Sequence, residues 1–306
     1  MIHLVALLGV LSISFSAVFI RLANVSPVTA VFYRAVYAVP ALTTLWLASR
    51  TRDDRPSRAR VLAFVSGLLL AADLAAWHES IALVGAGLGT VIANVQVVFV
   101  AALAWGLYGE RPTTRTWLLL TGVLAGIALT SGLARHDAYG EAPVAGVFFG
   151  VFAGACYAVF LLMFRRANQE QGPRSGPLLD STVGMAIGAL LTTPLDPRFS
   201  FVPTWPGHMW LMLLAIVAQV VGWLLIGAAL AELPSLETSI LLLVQPVFAL
   251  IWGRLIFDER LSALQWLGTA LVLVGVATIS MSGGKRQQAD EKRSLRCPPY
   301  PLPDKR

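Results

Sequence analysis

Ten predominantly apolar runs follow one another along the 306-residue chain, at about 2–20, 27–48, 61–78, 84–108, 116–134, 143–164, 177–195, 207–230, 235–257 and 262–281. Each is close to the roughly 20 residues that carry a helix across a hydrocarbon core. Only 13% of the residues are charged, and the mean hydropathy is +0.71. So few charges cannot cover so much apolar surface in water, so lipid is the solvent for most of the chain. The expected fold is an all-α membrane protein of ten transmembrane helices.

The connections are short and carry helix breakers: Ser26-Pro27, Arg55-Pro56, Arg111-Pro112, Gly172-Pro173 and Leu233-Pro234. They leave no room for a soluble domain. Residues 2–20 lack a basic start and a small-residue cleavage site, and further apolar runs follow at once, so they read as the first helix rather than a signal peptide. The stretch 283–306 is polar, charged and proline-rich, the composition of a disordered tail.

The net charge of +6 is topological information. With the N-terminus inside, one set of connections and the tail hold 17 Arg and Lys, and the opposite set holds 4 (Arg21, Arg135, Arg198 and Arg260). The remaining two, Arg34 and Arg254, lie within apolar runs. This asymmetry predicts an inner-membrane protein with both termini in the cytoplasm and argues against a nucleic-acid surface. Cys156 and Cys297 have no disulfide-framework or metal-ligand spacing, and no metal or cofactor is expected. Nor is there a G-x-x-x-x-G-K-[ST] loop, which excludes an ATP-driven pump as a single chain.

The second half repeats the first. At an offset of 149 residues, Val95-Gln96-x-Val98-Phe99 lies on Val244-Gln245-x-Val247-Phe248, Glu110-Arg111 on Glu259-Arg260, and Trp117-Leu118 on Trp266-Leu267. Over 88–131 against 237–280, 13 of 44 positions are identical, and the Gln, Glu-Arg and Trp matches are not products of apolar composition. The expected units are residues 1–134 and 135–282, five helices each. Five is odd, so the copies are inverted in the membrane, an arrangement used by transporters that rock one copy against the other around a midplane site.

Several short motifs carry a family resemblance: Phe32-Tyr33-Arg34, Trp77-His78, Gly85-Ala86-Gly87, Gly109-Glu110-Arg111-Pro112, Gln245-Pro246 and Asp258-Glu259-Arg260. In this order, among ten helices, the chain resembles the drug/metabolite transporter superfamily, in particular its EamA-like members, over about residues 2–282. The resemblance implies export of small metabolites through a central cavity lined mainly by helices 1, 3, 4, 6, 8 and 9. Val97 departs from the repeat, since its partner is Pro246.

Candidate functional residues follow from polarity inside the apolar runs. Gln96 and Gln245 are repeat partners near the middles of their helices. A buried amide must find a partner, which a substrate or another helix can supply. Asn94 lies two residues from Gln96, on a nearly opposite face of a regular helix. Pro246 frees the carbonyl of Leu242, which makes a hinge or a static kink. Arg34 and Asp73 sit roughly 10 Å and 8 Å from the outer ends of their runs at 1.5 Å per residue, depths that match an ion pair in an outer gate. His78 and Glu79 are candidate proton carriers, with an interfacial polar rim as the plainer reading. Trp77 reads as part of the aromatic belt, whereas Gln219, Trp223 and Tyr157 lie deep enough to line a cavity. The series Gly146-x-x-x-Gly150-x-x-x-Gly154, Gly122-x-x-x-Gly126 and Gly184-x-x-x-Gly188 predicts close helix contacts.

The leading function is a secondary transporter of small apolar or zwitterionic solutes, acting as a monomer or homodimer in contact with lipid. A carrier of phosphorylated compounds needs several fixed cations, and only Arg34 and Arg254 lie within the runs. An intramembrane lipid enzyme needs a reactive cluster at one depth, and His3, His78, His136 and His208 are scattered.

Overall fold

The computed structural model describes residues 2–49, 51–108, 114–130, 140–168, 170, 172–173, 175–202, 204–226 and 244–278. Among the described residues the regular structure is helical, without strands. In chain order the helices are α1 (Ile2–Ser14), α2 (Ser16–Ala23), α3 (Pro27–Leu47), α4 (Ser57–Val84), α5 (Ala86–Ala93), α6 (Gln96–Tyr108), α7 (Thr114–Thr130), α8 (Pro143–Ala167), α9 (Gly176–Thr192), α10 (Gly207–Ile226), α11 (Val244–Phe257) and α12 (Ala263–Thr278). Six segments are long and apolar enough to cross a membrane: Leu4–Ala23, α3, α4, α8, Gly176–Leu195 and α10. Shorter apolar helices lie within the other four runs.

Local chemistry sets the breaks. Asn24 ends α2 in the left-handed region (φ 48°), which its short polar side chain tolerates. Ser26 then caps α3, accepting from the Thr29 amide, and Pro27 occupies the first helical turn, where its missing N–H is no loss. Gly85 (φ 89°) separates α4 from α5. The fourth apolar run is broken at Asn94-Val95, where the amides of Asn94, Val95 and Val98 reach back three residues rather than four. In α10, residues Leu214–Gly222 take π geometry, a widened turn that shifts every later side chain around the axis.

The fold is built across its own midpoint. Helix α4 packs most extensively on α8 and α9, α3 packs on α9 and α10, α5 on α11, and α1 on α10. Elements of residues 1–134 therefore lie mainly against elements of 135–282. Glycine makes the tightest crossing possible. A Cβ on Gly67 would lie 1.9 Å from the Ser181 carbonyl oxygen, and one on Gly184 would lie 2.0 Å from that of Phe64. The Gly146, Gly150 and Gly154 stripe of α8 likewise has no room for a Cβ against Val84, Ile92 and Val95. Gly122 differs, with nothing within 4 Å. Large apolar side chains such as Phe148, Leu191, Leu255 and Val274 cover the outside, as lipid-facing residues do.

The full extent of α4 changes one depth. The third apolar run ends at about 78, but α4 continues to Val84. Asp73 is thus eleven residues, or roughly 16 Å, from the end of its helix. Trp77 and His78, on the same stretch of α4, are buried inside the bundle at 7% and 2% exposure.

Candidate functional site

Arg34 projects from α3 into the interior and is 3% exposed. A guanidinium can only donate hydrogen bonds, so the Arg34 Nε–H fixes the orientation of its neighbour: it donates to Oε1 of Gln219 over 2.8 Å. The Gln219 amide is left to donate through Nε2 to Oγ1 of Thr182 on α9, at 3.2 Å. Gln219 is fully buried and lies inside the π stretch of α10. The row Arg34–Gln219–Thr182 joins α3 of the first half to α9 and α10 of the second.

Beside it lies Asp73 of α4, 5% exposed. It interacts electrostatically with Arg34 and with Tyr157 and Cys156 of α8. The ion pair expected from matching depths is not closed, since no Arg34 nitrogen lies within 4.0 Å of an Asp73 carboxylate oxygen. Among the described residues Asp73 has no hydrogen-bond partner, and Nη1 of Arg34 is buried without one. His78, one turn further along α4, approaches the Pro27 carbonyl through Nδ1 at 3.4 Å and leaves Nε2 buried and unpartnered. A polar group withdrawn from water without a partner is expensive, so buried ionisable groups of this kind are candidates for function.

The other sequence candidates divide. Tyr157 and Trp223 join the interior, with Tyr157, Phe160, Phe164 and Trp223 in mutual ring contact at 5.3–6.0 Å. Trp77 packs in the same core and touches His78. Glu79 leaves the interior and pairs with Arg198 of the α9–α10 connection at 3.0 Å. Asn94 turns back on its own helix, donating to the Thr90 carbonyl. Gln96 opens α6 and is half-buried, as is Gln245 in α11, and neither makes a side-chain hydrogen bond among the described residues. Pro246 is buried in the first turn of α11, whereas Leu242 lies outside the described residues, as do Glu110, Arg111 and the tail 283–306.

Three features escaped the sequence reading. Glu259, singled out from sequence only as part of the repeat and a family motif, is 4% exposed. Its carboxylate accepts from the amides of Ala86 (2.6 Å) and Gly87 (3.1 Å) at the start of α5 and pairs with Arg21 at 2.5 Å. A clue lay in Gly253, where a Cβ would strike this carboxylate, and in Gly87, where it would crowd it at 3.2 Å. Second, Phe248, Trp252, Phe15, Phe19 and Trp210 stack in a row across α11, the α1–α2 junction, α2 and α10, with centroids 4.8–6.2 Å apart. Third, Tyr37 and His208 share a 2.6 Å hydrogen bond beside a pocket of about 350 Å³ reached by Asn24, Ser26, Thr29 and Arg198. Among the described residues no group of three or more His, Cys, Asp or Glu is placed to hold a metal.

The chain matches the EamA-like transporter family over residues 1–132 and 144–281. It is 28% identical over 232 residues to the uncharacterized transporter YwfM of Bacillus subtilis, covering 75% of this chain and 76% of that one. An uncharacterized transporter of Archaeoglobus fulgidus is 27% identical over 261 residues, or 85% and 89% of the two chains. The threonine/homoserine exporter RhtA of Escherichia coli is 25% identical over 201 residues, 64% of this chain and 65% of RhtA. A crystal structure with 18% sequence identity shares the fold at a TM-score of 0.54, over 93% of this chain and 98% of that one.

Proposed function

The chain belongs to the EamA-like transporter family, and on that premise we propose that it is a secondary transporter exporting small metabolites, amino acids or similar apolar or zwitterionic solutes, by alternating access. Its family and relatives are transporters, not enzymes. In this reading ten helices cross the inner membrane as two inverted copies, residues 1–134 and 135–282, with both termini in the cytoplasm. The two matched stretches, the internal repeat and the 17-to-4 distribution of Arg and Lys support it.

The observation that carries the reading is the seam Arg34–Gln219–Thr182. A bundle built only for stability fills such a position with apolar side chains. Here a buried cation of one half is held by an amide of the other, itself anchored by the Thr182 hydroxyl, contacts that can be exchanged as the halves rock. Export as the direction is supported by the resemblance to RhtA.

The test is efflux from liposomes containing the purified full-length protein. The vesicles are loaded in turn with a panel of amino acids and related neutral metabolites, with and without a pH gradient. Saturable efflux of at least one class, absent from protein-free vesicles, is the expected result, and dependence on the gradient would add proton coupling. Folded protein that moves no solute of the panel overturns the reading.

A further inference from the structure

The pocket of about 350 Å³ beside His208 lies at the end of the bundle where α2 finishes and α3 and α10 begin. Its wall carries Asn24, Arg198, Thr204 and His208, with the hydroxyls of Ser26 and Thr29 beside them. Those two hydroxyls are spent on each other and on the Ser200 amide. The other four side chains keep capacity. His208 is 3% exposed, and Tyr37 takes its Nδ1 at 2.6 Å. Nε2 has no protein partner among the described residues and is not sealed inside the fold, so it is the ring nitrogen left for the pocket. A phenol is a better donor than a neutral imidazole, so the Tyr37 O–H selects the tautomer that keeps a proton on Nε2. Asn24 and Thr204 make no side-chain hydrogen bond among the described residues. Arg198 engages Glu79 through Nη2 at 3.0 Å and Asp196 through Nε at 3.7 Å, which leaves Nη1.

Donors gathered on one space ask for an oxyanion. Its charge is qualified by the neighbours. One guanidinium faces two carboxylates here, so an anion alone is repelled, whereas a group that also bears an ammonium is not. Glu79, with its side chain 24% exposed, is the acceptor within reach of such an ammonium.

The flank of the pocket is apolar. Leu195 closes the span that begins at Gly176, and Phe201, Val202 and Trp205 lie in the connection that follows. All four are 59–81% exposed. Apolar side chains so exposed at the end of a membrane-spanning segment lie in the lipid interface, where tryptophan concentrates. Oxyanion-binding donors beside a surface for acyl chains select an amphiphile over a free ion.

We propose that this pocket binds the head group of an ethanolamine phospholipid, its phosphate on Arg198, His208, Thr204 and Asn24, its ammonium on Glu79, and its acyl chains along Leu195, Phe201 and Trp205. Asn24 and Glu79 belong to the first half and the α9–α10 connection to the second, so the lipid bridges the two at this end. The assignment does not depend on which solute is transported.

Native mass spectrometry of the full-length protein, delipidated in detergent and titrated with dioleoyl lipids, tests the site. Phosphatidylethanolamine is compared with phosphatidylglycerol, which lacks the ammonium, and with dioleoylglycerol, which lacks the phosphate. One ethanolamine lipid is expected to be held at least about tenfold more tightly than either. The unfolding midpoint in the same detergent should rise most with it. Arg198→Gln and Thr204→Val should weaken its retention by about tenfold and about threefold. Glu79→Gln should erase the preference over phosphatidylglycerol. Equal retention of dioleoylglycerol or phosphatidylglycerol by the wild type overturns the proposal, as does retention unchanged in both Arg198→Gln and Thr204→Val. Inorganic phosphate or O-phosphoethanolamine that displaces the lipid at equal concentration assigns the pocket to a soluble ion and also overturns it. The comparison among lipids uses the wild type alone, so it decides even where a variant fails to fold.

Discussion

Glu259 accepts a 2.6 Å hydrogen bond from the backbone amide of Ala86, so a carboxylate after α11 serves as the N-terminal cap of α5. The same carboxylate takes the Gly87 amide and pairs with Arg21. One side chain of the second half thus ties together two elements of the first, at the end of the bundle where α2 finishes and α5 begins. The amides of a first helical turn have no partners within their own helix, and a buried anion there also meets the favourable end of the helix dipole. Glu259→Ala should therefore destabilise by about 3 kcal/mol, mostly from stranded buried donors, since Arg21 is partly exposed and contributes less. Glu259→Gln keeps an acceptor and should lose about 1 kcal/mol. Unfolding equilibria in mixed micelles measure both, and equal stability of all three proteins would refute the latch.

Close helix approach makes a sharper contrast. Gly67→Ala and Gly184→Ala would each drive a methyl group into a backbone carbonyl of the facing helix, which no side-chain rotation relieves. Each should lose more than about 3 kcal/mol or fail to give a monodisperse peak in size-exclusion chromatography. Gly122→Ala meets open space and should be neutral or gain up to about 1 kcal/mol from helix propensity. A well-folded Gly67→Ala protein would show that the α4–α9 crossing is looser than described.

The apolar runs and their breakers made the helices legible, because length, Pro and Gly act locally. What required the fold was depth and partnership. The third apolar run ends at 78 by hydropathy, yet polar Glu79 and Ser80 do not stop α4, because both find partners: Glu79 takes Arg198 and Ser80 the Gly146 carbonyl. Six extra residues place His78 roughly 9 Å from the end of α4 instead of at it. Arg34 was visible as an intramembrane charge, but its contact with Gln219 passes between the two halves and depends on the π stretch, which no 3.6-residue wheel describes. Glu259 looked like any charged residue after a helix, and only the amides of Ala86 and Gly87 distinguish it.

The opposite end of the bundle has a pH signature. Asp53, in the α3–α4 connection, accepts from Arg55 Nε and Nη2 at 2.8 and 2.9 Å and from the Trp46 indole at 3.0 Å. The Arg55 hydrogen bonds, aided by Trp46 and opposed by partial burial, hold the Asp53 carboxyl well below the usual carboxylate range. A carboxyl depressed on folding stabilises the native state fully above its unfolded value of about 3.9 and loses that contribution as pH falls toward the native value. The stability difference between wild type and Asp53→Asn should be level from neutral pH down to about pH 5 and shrink below about pH 4. A difference that instead grows on acidification would mean that Asp53 is not paired in solution.

The seam at Gln219 separates charge from neutral hydrogen bonding within one row. Gln219→Leu removes the acceptor of the Arg34 Nε–H and strands a buried cation, a loss of about 1.5–3 kcal/mol. Thr182→Val removes only the neutral partner of the same amide, and Gln219 still accepts from Arg34. Its effect should be near 1 kcal/mol. Transport should follow the same order, because Arg34 keeps its orientation in one variant and loses it in the other. Initial efflux rates from liposomes are expected to fall about tenfold or more in Gln219→Leu and to stay within about threefold in Thr182→Val. If both variants are equally impaired, Thr182 has a role beyond holding the amide. If neither is, the orientation of Arg34 does not govern the transport step.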